Sequence, residues 1–177
     1  RTAVAVNQDR LRHLLPSAAA PAFAQKQGGT LRVSHRDNPP SASVHEEATI
    51  STNMPFMSVF NNLVMFDPKE KTNSPDKIVP DLAESWSWND NKTKLTFKLR
   101  SGVKFQDGTP FDAAAVKYNL ERILDPKTAS AQLRSDVGPI KTMEVVDPLT
   151  IKLTYDTPWV TLLDAIRRTP IFSPAAM

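Results

Sequence analysis

Hydrophobic and polar residues alternate most regularly between Val79 and Leu124, in the stretch VPDLAESWSWNDNKTKLTFKLRSGVKFQDGTPFDAAAVKYNLERIL. Trp86 and Trp88 alternate with Ser85 and Ser87, and Leu95, Phe97 and Leu99 alternate with Thr96, Lys98 and Arg100. A period of two predicts two strands, each with one buried face. Asn89-Asp90-Asn91-Lys92 lies between them, and because Asn and Asp tolerate left-handed backbone, the two strands should fold into an antiparallel hairpin. Val103 and Phe105 continue the alternation to the turn at Asp107-Gly108, which predicts a further short strand. Asp112 is placed to cap a helix over 112–124, carried by Val116, Leu120, Ile123 and Leu124, and Asp125-Pro126 ends it because proline disfavours helical geometry in the residue before it.

The flanks read in the same way. Thr30–Val33 predicts a short strand, and the polar, proline-marked segment from Ser34 to Thr49 a loop. Phe56, Val59, Phe60 and Leu63 recur at helical spacing, predicting a helix over Pro55–Asn62 with proline in its first turn. Leu63–Phe66 predicts a strand, and Lys69–Lys77 a polar hairpin or loop. Beyond the central stretch, 129–137 predicts a short helix, and 143–146 and 150–155 two strands joined at Asp147-Pro148. A last helix should open at Pro158-Trp159 with Val160, Leu163 and Ile166 on one stripe and Arg167-Arg168 near its end, where cations suit the helix dipole. The sheet expected from this pattern contains strands 95–99, 103–105, 143–146 and 150–155, covered on one face by helix 112–124. The class is α+β.

Composition changes the picture in three places. The net charge of +3 over 177 residues suggests a nucleic-acid partner only until its distribution is inspected. Without residues 1–24, 19 basic and 18 acidic residues remain, spread evenly, so no basic patch supports nucleic-acid binding. There is no cysteine, which excludes disulfides, thiolate zinc sites and a lipid-bearing cysteine. No run of ~18 apolar residues predicts a membrane span. Residues 1–24 close on Ala22-Phe23-Ala24, small residues that suit a signal peptidase, and read as a leader cleaved after Ala24, although Arg12, His13 and Pro16 interrupt its apolar region.

The central stretch, with PDLAESW, a strand ending in FKLR, GVKFQDGTPF and the helix after it, resembles the family 5 extracellular solute-binding proteins, receptors of bacterial ABC importers. GGTLRV, NNLVMFDP and MEVVDPLTIKLTY agree with it, so the resemblance runs from about Gly28 to about Ser173. The chain departs from the family at Ala113-Ala114-Ala115, where acidic residues usually open the helix. Favourable charge at the positive end of the dipole is lost there, worth up to ~1 kcal/mol.

The resemblance implies the amino-terminal part of a two-lobed periplasmic binding protein of type II-like architecture, with α/β character overall. It divides the chain into the leader (1–24), the first strand and cleft loop of a large lobe (25–49), an accessory α+β domain (50–158) and the start of a return to the large lobe (159–177). It implies a monomer that binds a peptide or similar small solute in the periplasm, closes around it, and delivers it to an inner-membrane permease. No cofactor is implied. The loop leaving the first strand faces the cleft in such receptors, which makes His35, Arg36, Asp37, Asn38, His45 and Glu46 the candidate ligand contacts.

Enzymatic readings find little support in the residues. His45-Glu46-Glu47 is not the H-E-x-x-H zinc helix, and neither a G-x-S-x-G elbow nor a phosphate-binding glycine loop is present. Asp107-Gly108 is better explained as a turn than as a catalytic carboxylate. Met54, Met57 and Met65 are better explained as core filler than as soft-metal ligands. A metal- or hydroxyl-dependent hydrolase therefore stands as the alternative to the receptor.

Overall fold

A computed structural model of the chain describes residues 32, 34, 35, 37–47, 49–56 and 59–177. The chain divides into two units, 1–34 and 35–177, and the fold below is that of the second. The leader over 1–24 lies outside the described residues, as do Thr30, Leu31 and Val33 of the expected first strand, Arg36 and Met57.

Four strands form an antiparallel sheet: β3 (Ala83–Trp88), β4 (Lys94–Leu99), β5 (Thr142–Asp147) and β6 (Thr150–Thr154), in the order β3-β4-β6-β5. The expected hairpin is present, with Trp86 opposite Phe97 and Trp88 opposite Leu95. Asn89 organises its turn by accepting from the backbone N–H groups of Thr93 and Lys94 at 2.9 and 2.8 Å. Lys92 takes the left-handed conformation there, at φ 57°. Both edge strands carry a bulge, at Glu84 in β3 and Val146 in β5. The first bulge brings Ala83 and Trp86, three residues apart, onto one face. Bulged edges also resist pairing with another chain.

One face of this sheet is dry. Leu95, Phe97, Leu99, Ile151 and Leu153 are fully buried beneath α2 (Ala113–Leu124), whose Val116, Leu120 and Ile123 face them. Asp112 caps α2 as expected, its Oδ1 accepting from the backbone N–H of Ala115 at 2.8 Å. Trp86 and Phe105 border this core, partly buried. A second, two-stranded ladder pairs β1 (Val64–Phe66) with β2 (Ile78–Pro80). Three further helices complete the unit: α1 (Ile50–Phe56), α3 (Ala131–Val137) and α4 (Leu162–Ile166).

Three expectations are corrected. The segment 103–105 does not join the sheet. It folds back on its own continuation, with Phe111 N–H donating to Val103 O and Phe105 N–H to Thr109 O, and Phe105 meets Phe111 edge to face at 5.9 Å. Gly102 and Gly108 supply the left-handed turns, at φ 72° and 85°. Secondly, the helix near Pro55 does not open at the proline: α1 begins at Ile50 and holds Pro55 in its last turn. Beyond Phe56 the helix does not extend to Asn62, and Val59 N–H closes a turn on Phe56 O at 3.0 Å. That turn still stacks Phe56 on Phe60 at 6.3 Å, which is why their spacing imitated a helix. Thirdly, the final helix starts later, at Leu162, and Val160 is 80% exposed. Trp159 lies over Gly138 instead, where a Cβ would fall 2.3 Å from the indole.

Phe97→Ala should lower stability by ~3–5 kcal/mol, the cost of a large cavity in a closed core. Val145→Ala, at the half-open edge of the same sheet, should change it by about 0.5 kcal/mol or less. Urea denaturation of the two variants checks the contrast.

Candidate functional site

Two polar residues of α2, Asn119 and Arg122, build the site. Asn119 lies on the same stripe as Val116, Leu120 and Ile123, and it is fully buried. Its amide donates to Phe172 O at 2.8 Å and accepts from Phe172 N–H at 2.9 Å. The return segment after α4 is thereby pinned against α2. Phe172 in turn packs against His45 at 4.5 Å and against Phe60, edge to face, at 4.6 Å.

One turn further along α2, Arg122 holds the loop from Ser43 to Glu47. It donates to His45 Nδ1 at 3.1 Å and pairs with the Glu46 carboxylate. A guanidinium only donates, so Nδ1 of His45 is unprotonated and Nε2 carries the proton, given to Pro170 O at 2.8 Å. Ser130, buried at the start of α3, donates to His45 O at 2.6 Å. His45 itself is 2% exposed. Burial, foremost, drives its pKa down from 6.5 to about 4, and the neighbouring Arg122 charge lowers it further against the raising effect of the Pro170 bond and Glu46. For Glu46, burial raises the pKa, but hydrogen bonds from Ser43 and Arg122 outweigh it and the net direction is down.

These anchors enclose a cavity of about 420 Å³. Val44, His45 and Glu47 form one wall, and Ile50 and Phe56 of α1 with Phe60 another. Gln132, Leu133 and Asp136 contribute from α3, and Arg167, Arg168 and Pro170 from the segment after α4. Asp136 accepts from Gln132 at 2.9 Å and pairs with Arg168 at 3.2 Å. Arg167 donates to Asp164 at 2.8 Å, and its guanidinium sits 4.0 Å over the Phe66 ring. A volume of this size and a lining that mixes aromatic and charged groups suit a small solute.

Of the six candidate contacts, His45 lines the cavity and Glu46 stands behind it, bound to Arg122. His35 bonds locally to Asp37 O at 2.8 Å, and neither these two nor Asn38 joins the cavity lining. Arg36 is outside the described residues. His45 offers no lone pair to a metal, since Nδ1 accepts from Arg122, and no group of three potential ligands occurs among the described residues. Asn119, Arg122, Asp136 and Arg168 were not foreseen. Asn119 had a signal, a polar residue on an apolar helical stripe. The others sit on polar faces and look like ordinary solvated charge.

Comparison with known proteins gives a consistent family. Residues 77–176 match the family described as bacterial extracellular solute-binding proteins, family 5 Middle. The glutathione-binding protein GsiB of Escherichia coli K12 is 42% identical over 98 residues, covering 54% of this chain and 19% of GsiB. Among solved structures, AgaA of A. tumefaciens R10 in complex with agropinic acid is 34% identical, with a TM-score of 0.63, covering 72% of this chain and 25% of AgaA. MoaA of the same strain, in complex with mannopinic acid, is 30% identical with a TM-score of 0.65, covering 76% of this chain and 27% of MoaA. The chain thus spans about a fifth of the length of the curated relatives it matches.

The His45 environment predicts acid sensitivity. Unfolded, His45 titrates near 6.5 and, folded, near 4. Between those values the unfolded state binds more protons, so stability is full above pH 6.5 and falls as the pH drops towards 4, by about 3 kcal/mol. His45→Gln retains a donor and an acceptor but no titration. Denaturant unfolding at several pH values should show a flatter profile for His45→Gln across this window.

Proposed function

We propose a receptor function from the premise that the chain belongs to the bacterial extracellular solute-binding proteins of family 5. It is part of a protein that captures a peptide or similar small solute and delivers it to an ABC permease. The location is the periplasm and the acting species a monomer. The observation that carries this reading is the cavity of about 420 Å³, walled by four separate segments that α2 and the return segment after α4 hold in place. Such a cavity binds by surrounding its ligand, and a family member uses that enclosure for capture and release rather than for chemistry. Relatives binding glutathione, agropinic acid and mannopinic acid support a polar organic solute. The hydrolase alternative has neither a family relative nor a residue constellation in its favour.

Titration of di- to tetrapeptides into the chain, followed by amide NMR, tests the reading up to millimolar concentration. The expected result is saturable shifts concentrated at 44–47, 132–136 and 167–170. Saturable shifts confined to other segments would overturn the cavity as the binding site, and no saturable shift anywhere would overturn solute capture by this chain.

A further inference from the structure

The acid sensitivity of His45 has a location in the fold. Both ring nitrogens are committed: Nε2 donates to Pro170 O at 2.8 Å, and Nδ1 accepts from Arg122 at 3.1 Å. A second proton has no place except Nδ1, where its N–H would meet a guanidinium that cannot accept. Two donors and two cations then face each other out of contact with water, so the contact must open. Arg122 from α2 and Glu46 from the same loop are the charged groups at the ring. Across the cavity lie Asp136 of α3 and Arg168 after α4, paired with each other at 3.2 Å. The start of α3 presents the Ser130 hydroxyl, bonded to His45 O, and the return segment presents the Phe172 ring. Glu46 favours the imidazolium, but its oxygens are already engaged by Arg122 and Ser43.

The loop is the part that can move. No residue of 43–47 belongs to the main core, although Val44 and His45 are buried. Its partners are anchored elsewhere. Val116, Leu120 and Ile123 fix α2 in that core, and the return segment is fixed by Ile171 in the core and by the two bonds between Asn119 and Phe172. The loop is tied to them through the ring and carbonyl of His45 and through the Glu46 pair with Arg122. A segment held by polar contacts outside the main core opens before the whole fold does.

We propose that His45 is an acid-operated latch on the loop wall of the cavity: a proton on Nδ1 releases 43–47 from α2 and the return segment, and the cavity opens while the sheet and α2 stay folded. As regulation of that cavity the latch rests on the receptor reading above, and its consequence there is that protons and solute compete. An open loop titrates near 6.5 and the closed one near 4. The closed value is the lower, so closure is fullest above pH 6.5 and the opening constant rises as the pH falls, by roughly thirtyfold at pH 5.

Amide hydrogen exchange followed by NMR on the intact chain, corrected for the intrinsic rate at each pH, tests the latch without any solute. The Glu47 N–H, bonded to Ser43 O at 3.1 Å, reports the loop, and the amides of β4 report the whole fold. The Glu47 opening constant should rise roughly thirtyfold between pH 8 and pH 5 and stay above that of β4 at every pH. His45→Gln, which has no proton to gain, should lose the rise. A Glu47 constant that ignores pH, one that equals the β4 constant throughout, or a rise that persists in His45→Gln overturns the latch. The ring of His45 gives a second check that needs no variant: its nitrogen shifts at pH 7 should show Nε2 protonated and Nδ1 bare, and the opposite tautomer also overturns the latch. Any of these failures leaves the receptor reading standing, because no solute is used. Peptides that fail to bind overturn that reading instead and leave the latch as a property of the loop alone.

Discussion

The reciprocal amide bond between Asn119 and the backbone of Phe172 is the constraint on which the rest of the unit depends. An α-helix that covers a sheet has little reason to carry a polar side chain on its buried stripe. Asn119 does so because the return segment passes there with a backbone N–H and C=O that must be satisfied. Losing the side-chain amide would strand both backbone groups, at ~1–3 kcal/mol each. The same contact places the Phe172 ring between His45 and Phe60, so the walls of the cavity are positioned by a helix whose other face is locked into the main core.

From that point the polar contacts run as a single chain. Pro170 O accepts from His45, His45 accepts from Arg122, and Arg122 pairs with Glu46, which accepts from Ser43. Each member orients the next, and the direction of donation is set throughout by the guanidinium, which cannot accept. A proton added to His45 would point at Arg122 and break the sequence at its middle. Coupling of this kind explains why a buried histidine is kept neutral here, and why the loop from Ser43 to Glu47 holds its shape without regular secondary structure.

The sheet was legible in the sequence because its signal is local. Trp86, Phe97 and Leu153 alternate with polar neighbours, and α2 announces both its cap and its stop. Errors arose where a local pattern had two physical solutions. Phe56 and Phe60 come together on a turn as well as on a helix. Val103 and Phe105 satisfy their backbone by folding onto 109–111 rather than by joining the sheet. The cavity was harder to read, since its walls come from segments more than 100 residues apart, and sequence spacing carries no record of such distances. His45 fell within the right loop, but its role is to support a wall and bond the return segment.

Preorganisation links this architecture to binding. Arg167 is fixed by Asp164 and the Phe66 ring, and Asp136 by Gln132 and Arg168. Long side chains lose rotamer entropy when a ligand immobilises them, at ~0.5–1.5 kcal/mol each. Here that ordering is already done by neighbouring side chains of the same fold. The arrangement also explains why the arginine corner is neutral. Its carboxylates serve to hold the guanidiniums in place, and the price is that the corner attracts no ion strongly at long range.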